Sequence, residues 1–199
     1  MMAGGADADR WLVVGLGNPG SRYAGNRHNV GAMAVERLAT VAGVSLSRTK
    51  FKARYGTGDL EGRPVVFLVP ETFMNLSGQA VSPARSFFGI PPSQILVVHD
   101  ELDLAYATLR LKRGGGHAGH NGLRSIIAEL GAPDFARLRV GIGRPVKPAN
   151  QEIADFVLQD FGPDERAGLD ELLVRSVAAC RLALKDGVDR AMNTINSAS

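Results

Sequence analysis

Two residues of this sequence have the types that a hydrolytic site requires, a base and a carboxylate to orient it. His28 lies in a polar, glycine-flanked stretch just before a predicted helix, and Asp100 ends an apolar run that predicts a central strand. An imidazole titrates near neutral pH and can take a proton from water. A carboxylate bonded to the imidazole fixes its tautomer and stabilises its protonated form. The two residues together predict general-base chemistry.

Four amide side chains in polar turns form a second set of candidates. They are Asn18, Asn29, Asn75 and Asn121. Each alone is typical of a turn, because asparagine tolerates the left-handed backbone conformation. Together they could donate to a developing oxyanion, hold a water molecule or bind substrate carbonyl groups. A base surrounded by neutral donors favours attack of water on an ester or an amide.

A sheet must bring these turns to one edge. Apolar runs predict strands at residues 11–15, 51–60, 64–69, 95–99, 108–112 and 137–142. Helical spacing predicts helices at 30–41, 76–88, 123–130 and 164–185. The alternation predicts an α/β fold: a single three-layer domain with a mixed, twisted β-sheet and helices on both faces. Polar turns after four of the strands are expected to converge where such folds place their active sites.

Three local expectations follow from the same pattern. Pro83 should either kink the helix at 76–88 or restart it at a Ser82 cap, because proline lacks the amide that an inner helical position uses. Ser77 is expected to cap a helix. His99 should point to the face of the sheet opposite Asp100, since neighbouring side chains of a strand alternate.

Bulk composition indicates one domain in a reducing compartment. The chain has 199 residues, 45% of them hydrophobic, and a formal net charge of +3. Its one cysteine, Cys180, excludes an intrachain disulfide and falls on the apolar stripe of the last predicted helix. No apolar run reaches the roughly 18 residues of a membrane helix. Residues 1–10 lack the features of a signal peptide and predict a disordered extension, so residues 11–199 are expected to form a cytoplasmic catalytic domain.

The segment from 110 to 147 is basic. It contains Glu129 and Asp134 as its acidic residues, against Arg110, Lys112, Arg113, Arg124, Arg137, Arg139, Arg144 and Lys147. Apolar and polar side chains alternate along residues 108–112 and 137–140, so each of these two predicted strands has one solvent-facing side. The side chains on both of those sides are basic. This asymmetry favours a phosphate-bearing partner. Aromatic residues make up 6% of the chain, so extensive stacking on bases is not indicated.

Other chemistries fit less well. The Gly-x-Ser-x-Gly pattern of a serine nucleophile is absent. His117 and His120 form an HxxH pair that Asp100 could join, but the pair lies in a loop and no cysteine pair accompanies it, so we expect no metal. Residues 15–20 match a dinucleotide fingerprint, yet Pro19 removes an amide and the next helix begins about ten residues late, which argues against a nucleotide cofactor.

The motifs in combination resemble the bacterial peptidyl-tRNA hydrolase family. The resemblance covers about residues 12–196. It is carried by Tyr23, by FVL at 156–158 and by the runs VGLGNPG at 14–20, RHNVG at 27–31, TFMNLSG at 72–78, HDELD at 99–103, GHNGL at 119–123 and RVGIGRP at 139–145. It implies hydrolysis of the ester between a peptide and the 3′ ribose of tRNA, which recycles tRNA from prematurely released peptides.

The resemblance also implies roles for individual residues. The catalytic residues would be His28 as the general base, Asp100 as its orienting carboxylate and Asn75 as the group that positions water or the scissile carbonyl. The substrate-binding residues would be Asn18, Tyr23, Met74, Asn121 and His120. The residues that hold the 5′-phosphate of the acceptor stem would be Lys112 and Arg139. The family is typically monomeric and needs no metal or other cofactor.

The chain departs from the family pattern at two loops. Asn26 stands where threonine usually precedes the Arg-His-Asn run, and residues 105–107 replace a turn that usually contains proline or glycine. Pro83, which is unusual in its predicted helix, is a further departure, and none of these changes touches the expected catalytic groups. An alternative reading is a tRNA-binding module without catalysis, whose tRNA binding would not depend on His28.

Overall fold

The computed structural model describes residues 9–145 and 153–198. Most of the predicted extension at 1–10 and Lys147 of the basic segment lie outside these residues. Asp9 forms an ion pair with Arg63 at 3.1 Å, just before the first strand.

In this described part of the chain, seven strands form one mixed sheet in the order β2-β3-β4-β1-β5-β7-β6. The strands are β1 (Trp11–Gly15), β2 (Arg48–Lys50), β3 (Ala53–Leu60), β4 (Arg63–Pro70), β5 (Ile95–Glu101), β6 (Leu109–Arg113) and β7 (Ala136–Gly141). The four inner strands β4, β1, β5 and β7 are parallel, whereas β2, β3 and β6 run antiparallel to their neighbours. The apolar runs of β4 and β5 are buried, as expected for strands covered on both faces.

Helices cover both faces of the sheet and confirm the three-layer fold class. They are α1 (Val30–Val41), α2 (Gly78–Phe87), α3 (Asn121–Leu130), α4 (Ile153–Val157), α5 (Pro163–Asp186) and α6 (Val188–Ser197). One apolar cluster joins the sheet to α1, α5 and α6, and a second joins it to α2 and α3. Within residues 9–145 and 153–198, no helix is long and apolar enough to cross a membrane.

The start of α2 differs from the sequence prediction. The helix is continuous through Pro83, and Ser82 lies inside it with its hydroxyl donating to Glu129 O on α3. Ser77 does not cap the helix: its backbone is already helical, and its hydroxyl donates to Met74 O. The first amide of α2 is satisfied from outside, because Gly78 N donates to Ser125 Oγ at 2.9 Å. A neighbouring helix thus replaces the expected cap.

The polar turn after β6 reaches the site by a longer route than expected. Arg113 pairs with Ala136, the first residue of β7, so the carboxyl end of β6 lies at the opposite edge of the sheet. Residues 114–120 return along the sheet to α3. Arg137 anchors this loop by donating to Gly115 O and Gly116 O, both at 2.6 Å. Arg137 was expected on a solvent face, but it is 2% exposed because the loop covers it.

Candidate active site

Close packing between α1 and the sheet places His28 beside the end of β5. His28 lies in a single 3-10 turn, Arg27–Asn29, that leads directly into α1. A Cβ on Gly31, the second residue of α1, would lie 2.1 Å from Val98 O. Only glycine allows this approach of helix to strand. The helix start therefore meets β5 two residues before Asp100.

His28 and Asp100 form the expected pair. His28 Nδ1 lies 2.9 Å from each carboxylate oxygen of Asp100. Burial opposes ionisation of Asp100, but the electrostatic interactions and hydrogen bonds with His28 and His120 outweigh burial and hold its pKa below the usual value. Burial also opposes protonation of His28, and the charge and hydrogen bond of Asp100 outweigh it, so the pKa of His28 is raised. Asp100 thus favours the protonated form of His28.

His120 is the third member of this group. Its Nε2 lies 2.9 Å from Asp100 Oδ1. Its Nδ1 accepts hydrogen bonds from Gly122 N at 3.2 Å and Leu123 N at 3.3 Å, so the side chain caps α3. The substrate contact expected for His120 stays a prediction, and both of its ring nitrogens have partners within the protein.

The same group has the spacing of a metal site. Ligand atoms of His28, Asp100 and His120 all lie within 4.8 Å of one another. The metal site that the sequence pattern suggests as an alternative would contain His117, together with His120 and Asp100, instead of His28. His117 lies outside the group, with its Nδ1 accepting from Gly119 N at 3.1 Å. The nitrogen–oxygen distances of 2.9 Å within the group are those of direct hydrogen bonds.

His99 supports His120 from the other side. Strand alternation places it on the face of Val97, as predicted, and its ring lies edge-on to the His120 ring, with centroids 4.9 Å apart. Burial lowers the pKa of His99 to about 3, so its ring is neutral. Its Nδ1 donates to Asp100 O at 2.7 Å. His99 therefore contributes a neutral packing surface.

Three of the four predicted amides meet at one cleft. Asn18, Asn75 and Asn121 line it together with His28. Asn18 Oδ1 accepts from Met74 N at 2.8 Å, which leaves its Nδ2 as the donor available to a ligand. Asn29 is different, because it is buried and its side chain bonds the backbone N and O of Asn18, each at 2.9 Å. Asn29 shapes the Asn18 turn and does not line the cleft.

Apolar and aromatic side chains form the walls of the cleft. Tyr23 packs edge-on against Phe73 with ring centroids 6.4 Å apart, and Met74 lies beside them. Val157 of α4 lines both this part of the cleft and a neighbouring part that contains Asp100 and His120. The expected wall residues Tyr23 and Met74 therefore line the same cleft as His28.

The chain is similar to known proteins in both sequence and structure. The family model described as peptidyl-tRNA hydrolase matches residues 12–199. The chain belongs to the peptidyl-tRNA hydrolase family. It is 47% identical to the peptidyl-tRNA hydrolase of Sorangium cellulosum over 94% of this chain and 83% of that protein. It is 45% identical to that of Geobacter sp. (strain M21) over 94% and 97%. The crystal structure of the Acinetobacter baumannii enzyme superimposes with a TM-score of 0.87 at 43% identity, covering 97% of each chain.

Membership confirms the resemblance and the enzyme class inferred from sequence. Sequence reasoning missed how this peptidyl-tRNA hydrolase holds α4 over the cleft. Arg27, next to His28, forms an ion pair with Glu165 at the start of α5. Its guanidinium also donates to Phe156 O and Gln159 O and lies 4.3 Å from the centre of the Phe156 ring. The position of Arg27 directly before His28 was the sequence feature that could have indicated these contacts.

The departures from the family pattern join the same contact region. Asn26 Nδ2 donates to Asp160 Oδ1 at 2.8 Å, just after α4. Tyr106, in the altered loop, donates its hydroxyl to Glu165 O and packs against Phe161 with centroids 6.1 Å apart. These residues of the peptidyl-tRNA hydrolase therefore hold the α4 region without touching His28.

The predicted phosphate-binding residues lie on the outer strands. Strand pairing sets Arg110 opposite Arg139 and Lys112 opposite Arg137, so all four begin on one face of the sheet. Lys112 is exposed. Arg139 donates its Nε to Glu101 Oε2 at 2.9 Å and is half-buried. Arg110, Lys112 and Arg139 thus lie on one face of β6 and β7, where Arg137 is covered by the loop of residues 114–120.

Proposed function

We propose that this peptidyl-tRNA hydrolase uses His28 as the general base for attack of water on the ester between peptide and tRNA. The observation that carries the proposal is the contact of His28 Nδ1 with both oxygens of Asp100. Because Nδ1–H is donated to the carboxylate, Nε2 of the neutral ring keeps a lone pair. Among the described residues, no side chain or backbone group donates a hydrogen bond to this Nε2. That nitrogen borders the cleft and can accept a proton.

The reaction then proceeds in two steps. Water oxygen attacks the ester carbonyl carbon while one water proton passes to His28 Nε2. The tetrahedral intermediate collapses, the bond between the carbonyl carbon and the ribose oxygen breaks, and the imidazolium returns its proton to that oxygen. The products are a peptide carboxylic acid, which ionises, and free tRNA. Asp100 stabilises the imidazolium between the steps.

The amides supply donors around the reacting carbonyl. Asn75 and Asn121 are exposed at the cleft, and their NH₂ groups suit a water molecule or an oxyanion. Asn18 has only its Nδ2 available, which suits a peptide carbonyl. Tyr23 and Met74 would contact the peptide side chains. This assignment supports peptide binding in the part of the cleft lined by Asn18 and Tyr23.

Lys112 and Arg139 are proposed to hold a phosphate of the acceptor stem. Lys112 offers an exposed ammonium. Arg139 has one N–H on Glu101 and keeps further donors for a phosphate oxygen, since guanidinium carries five N–H groups. We further propose a cytoplasmic monomer that turns over without a metal. Light scattering at the mass of one 21.1 kDa chain would support the monomer.

Release of peptide from N-acetyl-aminoacyl-tRNA in EDTA tests the proposal. We expect fast release by the native protein and a loss of roughly 10²- to 10⁴-fold in His28→Ala, with tRNA binding retained. Equal rates for the two proteins would remove His28 from the mechanism. Binding of tRNA without release by the native protein would leave a non-catalytic tRNA-binding module.

A further inference from the structure

We infer that His120 is a positioning residue that holds Asp100 through a fixed neutral tautomer, and that it does not bind substrate. The inference rests on the proposed role of His28 as general base and extends it. It starts from the two hydrogen-bonded sides of the His120 ring, one on the N-terminus of α3 and the other on Asp100.

The amides of α3 decide where the His120 proton lies. Nδ1 faces two N–H donors, Gly122 N and Leu123 N, so this nitrogen must present its lone pair. A neutral imidazole then carries its proton on Nε2. A second proton on Nδ1 would oppose both amides and the positive end of the helix. His120 is therefore neutral, and Nε2–H donates to Asp100 Oδ1.

The fixed proton on His120 determines what Asp100 can do. The carboxylate receives one N–H from His120 and another from His28, so its rotation is restrained from both sides. The imidazole of His28 aligns on this restrained carboxylate. The remaining titratable neighbour of the His120 ring, His99, is buried and neutral. The rigid end of α3 thus positions the base through Asp100, and it also begins with Asn121, which lines the cleft.

Two substitutions separate capping from positioning. In His120→Asn the side-chain oxygen takes the place of Nδ1 and keeps the cap, but no donor reaches Asp100. In His120→Gln the side-chain NH₂ takes the place of Nε2 and keeps the donor, but the cap acceptor is lost. The pair is matched, because each variant retains one of the two hydrogen-bonding functions of the native ring.

We expect His120→Asn to lower kcat by roughly 10- to 100-fold with KM for N-acetyl-aminoacyl-tRNA unchanged, because the base is less well oriented. The acidic limb of the pH profile of kcat/KM for this variant should move to higher pH. With one donor lost, Asp100 retains a stronger charge toward His28 and raises the pKa of the base. His120→Gln should keep kcat within about threefold of native and lose a few degrees of thermal midpoint, as expected for a lost cap.

Other outcomes would overturn the inference. A raised KM with an unchanged pH profile in His120→Asn would show that His120 contacts substrate. Equal losses of kcat in the two variants would show that neither hydrogen bond has a separate role. His28→Ala, measured in the same assay, tests the underlying mechanism: if it is inactive while His120→Asn behaves as native, the positioning role alone fails.

Discussion

Replacing Asp100 by asparagine tests the proton arrangement of the site with the smallest change in shape. The variant has one acceptor oxygen and one NH₂ donor where the native carboxylate has two acceptors. His120 can only donate toward this position, because its Nδ1 is occupied by α3 amides. The amide oxygen is therefore expected to face His120, and the NH₂ group to face His28 Nδ1.

That orientation places the proton of His28 on the wrong nitrogen. His28 Nδ1 lies 2.9 Å from both former carboxylate oxygen positions, and the NH₂ group at the Oδ2 position favours acceptance by this nitrogen, which moves the proton of the neutral ring to Nε2. The atom that should take a proton from water then carries one already. General-base assistance is worth roughly 10² to 10⁴ in rate. We expect kcat to fall about 10³-fold, which corresponds to about 4 kcal/mol of barrier.

The pH profile of the Asp100→Asn variant provides a second readout. Burial lowers the pKa of His28 and the charge of Asp100 raises it, with a net increase in the native protein. Removing the charge leaves burial dominant, so the acidic limb of the remaining activity should move to lower pH. KM should change little, because Asp100 is buried behind the two imidazoles.

Single-turnover release of peptide from N-acetyl-aminoacyl-tRNA across pH measures both effects. Asp59→Asn is the control, since it removes one carboxylate from an exposed position on β3 at the far side of the sheet. A rate for Asp100→Asn within threefold of native would refute the tautomer argument. An acidic limb that stays in place or moves to higher pH would refute the electrostatic coupling.

Three further predictions address packing, the α4 region and tRNA binding. Gly31→Ala should destabilise the fold by about 3 kcal/mol because its Cβ meets the backbone of β5, whereas Gly116→Ala, with open space around its Cβ, should unfold as native in denaturant. Arg27→Met should lower the thermal midpoint by roughly 4–8 °C and raise KM, because Glu165 loses its ion-pair partner and α4 is held less firmly. An unchanged KM would contradict the role of α4 in substrate binding. Lys112→Ala should reduce the salt dependence of log tRNA affinity by about 1 without changing kcat, and an unaltered slope would exclude a phosphate contact.

The fold follows from the sequence wherever a long periodic pattern meets a clear boundary. The inner strands and α1 lie within a residue or two of their predicted limits. The apolar runs of β1, β4 and β5, the alternation of β7 and the helical spacing of α1 each have clear limits in the sequence. The strand β2 could not be predicted in this way, since its three residues are all exposed. It exists through pairing with β3 across a turn in which Phe51 and Lys52 both have positive φ.

The helix α6 was missed for a related reason. It is rich in polar residues of weak helical propensity, and its apolar positions contact a core that only the folded sheet provides. Asn196 on this helix accepts from Leu111 N and donates to Leu111 O, each at 2.9 Å, and so pairs with the edge strand β6 as a neighbouring strand would. Such a long-range contact has no local sequence signature. It protects an otherwise open sheet edge.

Sequence reasoning reached the chemistry of the site but not the distribution of its protons. Residue type and position singled out His28 and Asp100, because a charge at the end of a buried strand needs a partner. The roles of His99 and His120 depend on which nitrogen meets which backbone group. That depends on the return of residues 114–120 along the sheet and on where α3 begins, which are properties of the assembled fold.

Three imidazoles and one carboxylate lie in contact in this protein, and His28 offers the free proton acceptor at the cleft, whereas the unpartnered Nε2 of His99 is buried. His99 is neutral through burial, with Nδ1–H on a backbone carbonyl. His120 is neutral through the amides of α3, and its proton is committed to Asp100. Asp100 is ionised by the donors on either side. His28 Nε2 is then the one imidazole lone pair directed at the cleft, so a crowded titratable cluster can act with a single, well-defined basic nitrogen.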